Sequence, residues 1–109
     1  MPKEDVVIEW APFRVRAGVT VEALIAASDQ LQADFLARQP GFVSRELLRG
    51  PDRQWTDLVF WESRAAVDTA MQKVADSPAC GRYFALMEVA DHADAGAGVL
   101  LLGRVKRYD

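Results

Sequence analysis

Between Gln39 and Ser63 the chain reads Gln39-Pro-Gly-Phe-Val-Ser-Arg-Glu-Leu-Leu-Arg-Gly-Pro-Asp-Arg-Gln-Trp-Thr-Asp-Leu-Val-Phe-Trp-Glu-Ser63. This is a helix stop, a strand, a tight connection, a second strand and a helix start in immediate succession. Such a run has few outlets other than a central antiparallel hairpin. Pro40-Gly41 ends what precedes it, because proline cannot donate within a helix and glycine takes the left-handed conformation at low cost. Strands are predicted over Phe42 to Arg49 and Gln54 to Trp61, joined through Gly50-Pro-Asp-Arg53.

Charge selects the hairpin register. Placing Glu46 opposite Asp57 would set two carboxylates about 5 Å apart, whereas a one-residue shift puts Leu47 opposite Asp57 with Arg45 and Arg49 diagonal to it. The shifted register groups Val43, Arg45, Leu47, Arg49, Trp55, Asp57, Val59 and Trp61 on one face. Phe42, Ser44, Glu46, Leu48, Thr56, Leu58 and Phe60 take the other. Neither face is cleanly polar, so the sheet requires cover on both sides.

The flanking segments fall into order around this hairpin. Val6 to Ala11 is β-branched and aromatic and starts a strand that Pro12 is expected to limit, with extension past the break through Phe13 and Val15 as the alternative. After a turn at Arg16-Ala-Gly-Val, Thr20 is placed to cap a helix running from Val21 to about Arg38, with Glu22 in its first turn. Its apolar residues Val21, Leu24, Ile25, Leu31, Phe35 and Leu36 share one arc at about 100° per residue. Ser28 and Gln32 project near the centre of that arc. Either they are satisfied by backbone or water in an ordinary core, or the helix faces a cleft that needs a few polar groups.

Beyond the hairpin, Ser63 caps a short helix with Ala66, Val67, Ala70, Met71 and Val74 on one arc. Ser77 and Pro78 open the next helix, with Pro78 at the favoured first position and Cys80, Tyr83, Phe84 and Met87 on its buried side. The only histidine, His92, follows in a loop between Asp91 and Asp94, where it is expected to be solvated, and Ala93 to Gly98 reads as loop. Val99 to Tyr108 reads as a last strand whose continuous apolar start implies burial on both faces.

The predicted order, strand, helix, strand, strand, helix, strand, is that of a ferredoxin-like βαββαβ α+β fold with a four-stranded antiparallel sheet and the helices on one side. At 109 residues the expectation is a single domain spanning 1–109. Half of the residues are hydrophobic, a high share for so short a chain. Helices on one face leave the other bare, which points to a homodimer joined sheet to sheet.

A net charge of −3 with dispersed basic residues argues against nucleic-acid binding. No apolar run approaches the roughly 18 residues of a membrane span, and the charged start leads straight into a strand, so a membrane segment and a signal peptide are not expected. The expected location is cytoplasmic. One cysteine excludes an internal disulfide; Cys80 reads as a small buried hydrophobe, with a reactive thiol as the alternative. One histidine and one cysteine without ligand spacing make no usual transition-metal site, and no Ser-His-Asp, phosphate-loop or dinucleotide pattern is present.

The segments Pro40-Gly-Phe, Glu46-Leu-Leu-Arg-Gly and Trp55-Thr-Asp-Leu-Val-Phe-Trp-Glu-Ser63, followed by Ala65-Ala66 and Ser77-Pro78, resemble the antibiotic biosynthesis monooxygenase (ABM) domain family of dimeric α+β barrels. The element order matches over nearly the whole chain. The resemblance implies a small pocket between sheet and helices in each subunit. Family members use it for cofactor-independent oxygenation of aromatic polyketides or quinols, or for haem breakdown. The tryptophan that lines the pocket in that family matches Trp61. Haem-degrading members share a helix histidine and a first-strand asparagine; here Tyr83 and Phe84, and Glu9 and Trp10, stand in those regions, so no cofactor is expected.

The substrate-binding candidates are therefore Trp61, with Trp10 and Trp55 as further aromatic walls, and Ser28, Gln32, Asp57, Arg45 and Tyr83 as polar groups. The plain alternatives are core tryptophans and a cross-strand Arg45–Asp57 ion pair. The expected activity is cofactor-free monooxygenation of a small aromatic or quinol-type molecule. The alternatives are a non-catalytic dimeric small-molecule-binding or stress-related protein, and a dimer whose pocket is filled by its own side chains.

Overall fold

In the computed structural model, which describes residues 6–88 and 99–109, β2 (Phe42–Arg49) and β3 (Gln54–Trp61) form the central hairpin with Leu47 opposite Asp57. This is the register that the charges favour. Arg45, one residue pair along, donates from Nε to Asp57 Oδ1 at 2.8 Å. The hairpin closes with the Gly50 N–H on the Gln54 carbonyl at 2.8 Å and Asp52 at φ 55°.

One detail differs from the sequence expectation. The pairing steps from Phe42–Trp61 to Ser44–Phe60, so Val43 is an extra, exposed residue in a β-bulge. The bulge turns Phe42, expected on the opposite face, onto Trp61, where the rings meet edge to face at 5.9 Å.

β1 (Val7–Arg14) pairs with β3 along its whole length, and β4 (Leu100–Gly103) adds to the other side of β1 over Val7 to Trp10. The sheet order is β2-β3-β1-β4, all antiparallel, as the ferredoxin-like order requires. Pro12 does not end β1: the strand continues through Phe13 to Arg14, the extension the sequence left open, with Pro12 opposite Thr56. The β4 ladder has ended at Trp10, and among the described residues the next backbone contact on that side, Glu88 N–H to the Arg14 carbonyl, comes four residues later. Pro12 thus occupies a local edge where a missing N–H costs no ladder bond.

The helices are α1 (Val21–Asp34), α2 (Arg64–Met71) and α3 (Pro78–Phe84), with single 3-10 turns at Leu36–Arg38 and Val74–Asp76. Each begins at the expected cap: Thr20, Ser63 and Ser77 accept from the N–H groups of Ala23, Ala66 and Cys80. Gly41, at φ 84°, passes so close to α2 that a Cβ there would lie 2.5 Å from Ala66 Cβ. Pro-Gly at this point therefore stops one element and admits another.

All helices pack on one face of the sheet, where Leu24, Leu31, Val67, Ala70, Cys80 and Tyr83 enclose Trp55, Val59 and Trp61. No helix among the described residues covers the opposite face. There Trp10, Leu100 and Leu102 are 39%, 50% and 44% exposed, beside Ile8, Leu48, Leu58 and Phe60. β4 is also shorter than predicted: after Gly103 the chain leaves the ladder, and Val105 and Tyr108 are almost fully exposed. The burial on both faces expected of the β4 run is not met within one chain.

Candidate functional site

Strand alternation sends Glu9, Ala11 and Phe13 of β1, Arg45 of β2, and Asp57 and Val59 of β3 to the helix side of the sheet. Opposite them stand Leu31 of α1 with Phe35 and Leu36, Met71 and Val74 at the end of α2, and Cys80, Tyr83 and Phe84 of α3. Between these walls lies a cavity of about 280 Å³, lined also by Pro12, Met87 and Val99. The described side chains do not fill it. Met71 and Phe84, expected to be buried, are half-exposed because they stand at its mouth.

The polar part of the wall is a closed network. Arg45 donates from Nε to Asp57 Oδ1 at 2.8 Å, from Nη2 to Tyr83 Oη at 3.2 Å and from Nη1 to the Ser28 carbonyl at 3.2 Å. Tyr83 Oη in turn donates to Asp57 Oδ2 at 2.8 Å. Burial and the neighbouring Asp57 carboxylate push the Tyr83 hydroxyl well above the ordinary phenol range, so it stays protonated. The Arg45 and Asp57 side chains are only 6% and 10% exposed, which makes this a buried pair.

Glu9 is different. Its Oε1 accepts from Trp61 Nε1 at 3.2 Å, and Oε2 makes no hydrogen bond to another described residue. Burial raises its carboxyl above the usual value of 4.5; the Trp61 hydrogen bond opposes this, the Asp57 charge adds to it, and Arg45 opposes it. A carboxyl of this kind can hold or release a proton nearer neutrality than a solvated one. Burial also raises the Cys80 thiol, against a smaller lowering by its hydrogen bond with Ser77, so Cys80 remains a neutral wall group.

The structure brings Asp57, Arg45 and Tyr83 together in the cavity wall. Trp61, 0% exposed, stands behind Glu9 and reaches the cavity through it. Ser28 is buried and joins the network by its backbone carbonyl, while Gln32, one helical turn further, is half-buried and not part of the wall. Trp55 lies in the core; Trp10 lies on the far face of the sheet, paired with Leu58 and Leu100. His92 falls outside the described residues. Among those described, no three His, Cys, Asp or Glu side chains gather as a metal site requires, and no helix is long and apolar enough to cross a membrane.

Glu9 was not singled out by the sequence reading. Its signal was a lone carboxylate at an inward position of an otherwise apolar strand, sharing a face with Asp57.

Together these features define a ferredoxin-like α+β protein with a ligand-sized cavity between sheet and helices. The sequence matches no family model, and no curated protein matches it significantly. The fold is shared with solved structures of ABM-named proteins. SnoaB of Streptomyces nogalater, a cofactor-independent oxygenase, superposes with a TM-score of 0.72 at 23% identity, over 94% of this chain and 96% of that one. A candidate antibiotic biosynthesis monooxygenase from Caulobacter crescentus CB15 gives 0.71 at 16% identity, over 94% and 92%. One from Bordetella bronchiseptica gives 0.70 at 16%, over 95% and 99%.

Proposed function

We propose that this chain forms a homodimer whose subunits each bind a small aromatic molecule between sheet and helices and oxygenate it without a cofactor. The observation that carries this reading is the unfilled cavity, apolar over most of its wall and containing a buried Arg45–Asp57–Tyr83 network. An anthrone or quinol gives an electron to oxygen once deprotonated, so the protein need supply only a dry slot, a proton acceptor and a stable electrostatic surround. For an anthrone the balance is one CH₂ and one O₂ giving one ring carbonyl and one water. The carbon keeps the electron pair when its proton leaves to the acceptor, one electron passes to O₂, the ring radical and superoxide couple to form the C–O bond, and the peroxide takes the proton back and loses water to leave the carbonyl.

Oxygen uptake above buffer is expected when the protein meets an anthrone or a hydroquinone, measured with an oxygen electrode. Uptake at the buffer rate with both, alongside calorimetric binding of either, supports the non-catalytic binder instead. The bare, oily sheet face supports the dimer. Light scattering at micromolar concentration is expected to give about twice the 12.1 kDa chain mass, and Trp10→Glu, which puts a charge in that face, to return it toward a single chain. A wild-type mass of one chain would remove the dimer.

A further inference from the structure

We infer that Glu9 is the group that selects the ligand: its Oε2 accepts a hydrogen bond from an acidic O–H, so the cavity takes hydroxylated aromatics in preference to their O-alkylated counterparts. The inference rests on the reading of the cavity as an aromatic-binding site and names the chemistry that the site recognises.

Each side-chain nitrogen and oxygen of Arg45, Asp57 and Tyr83 is already engaged within the group or by the Ser28 carbonyl. A ligand arriving beside them finds little to bond without breaking a buried pair, which is costly. The remaining titratable wall group, Cys80, is a weak donor and acceptor. The α1 and α2 walls offer Leu31, Phe35 and Met71, which are apolar. Glu9 has one oxygen fixed by Trp61 Nε1 and the other without a partner among the described residues. Trp61 is fully buried and held edge-on by Phe42, so the carboxylate is aimed by a rigid support.

The charges around Glu9 add selectivity. Asp57 and Glu9 face the same cavity against the single guanidinium of Arg45, so an anionic ligand is repelled. A neutral hydroxyl is welcome as a donor to a carboxylate, and such charge-assisted bonds are the stronger kind. An ether of the same shape displaces water from Oε2 and gives it no donor in return.

The test uses 2-naphthol and 2-methoxynaphthalene, two probes that share a ring system and differ in the O–H. Calorimetric titration of the full chain at neutral pH is expected to show tighter binding of the naphthol. In Glu9→Gln, which keeps an oxygen for Trp61, that preference is expected to shrink by about tenfold, the difference between a charge-assisted and a neutral hydrogen bond. In the wild type the preference is expected to fall as pH drops and Glu9 takes up its proton, with the ether's affinity not falling alongside; this measurement stands without any variant. Both probes binding with equal affinity to the wild type, or Glu9→Gln keeping the full preference, would overturn the role of Glu9 and leave the aromatic site intact. Neither probe binding would overturn the aromatic site itself, and the inference with it.

Discussion

Replacing Arg45 by methionine is expected to destabilise the protein by about 3–5 kcal/mol, the cost of stranding one member of a buried ion pair. Methionine keeps much of the volume but none of the hydrogen bonds to Asp57, Tyr83 and the Ser28 carbonyl. Asp57, buried on β3, would keep Tyr83 Oη as a donor and lose its counter-charge. Against a typical total of about 5–15 kcal/mol for a small domain, such a loss is large. Urea unfolding followed by tryptophan fluorescence measures it. The control is the double substitution Arg45→Met with Asp57→Leu, which removes both charges. It is expected to recover most of the loss, because the penalty lies in the uncompensated charge rather than in the missing attraction. A double variant as unstable as the single one would show instead that packing at these positions is the cause.

The same substitution reaches Glu9. Arg45 is one of the two influences that lower the Glu9 carboxyl, so its removal lets burial and Asp57 raise that group further. The network is therefore both a structural clasp, joining α1, β2, β3 and α3, and the electrostatic setting of the one wall carboxylate that is free to meet a ligand.

The hairpin was legible because its information is local. Pro40-Gly41 stops a helix, Ser63 starts one, and the clash between Glu46 and Asp57 excludes the wrong register. The caps Thr20, Ser63 and Ser77 were legible for the same reason. What sequence reasoning missed depends on distant partners. The bulge at Val43 carries no glycine to announce it and exists because Phe42 fits the edge of Trp61. Pro12 is tolerated inside β1 because β4 ends at Leu100, opposite Trp10. Of the eight residues proposed for the site, Arg45, Asp57 and Tyr83 share the cavity wall because strand alternation and one helix face suffice to place them. Ser28 and Gln32 could not be told apart on a helical projection, although the structure buries the first more than the second. Glu9 went unmarked because an isolated acidic residue in a strand usually faces solvent; only the pairing of β1 with β3 shows which way it points.

Trp61→Ala is expected to cost about 3–5 kcal/mol, as the loss of a fully buried aromatic does, and to open a void behind the cavity. Trp61→Phe separates the ring's packing from its N–H. The smaller ring keeps contact with Phe42, while Glu9 Oε1 loses its donor. That hydrogen bond lowers the Glu9 carboxyl, so in Trp61→Phe the group is expected to titrate at higher pH than in the wild type. The effect on stability has a definite sign. A carboxyl raised on folding binds more protons in the native state, so its contribution is complete below the unfolded value near 4.5 and is lost as pH rises through the folded value. In Trp61→Phe the loss extends to higher pH. Melting temperatures measured from pH 4 to pH 8 are therefore expected to fall further with rising pH in Trp61→Phe than in the wild type, and this extra slope is expected to vanish when Glu9→Gln is added. Parallel pH profiles in wild type and Trp61→Phe would mean that the indole does not tune Glu9, and would reduce Trp61 to a packing residue.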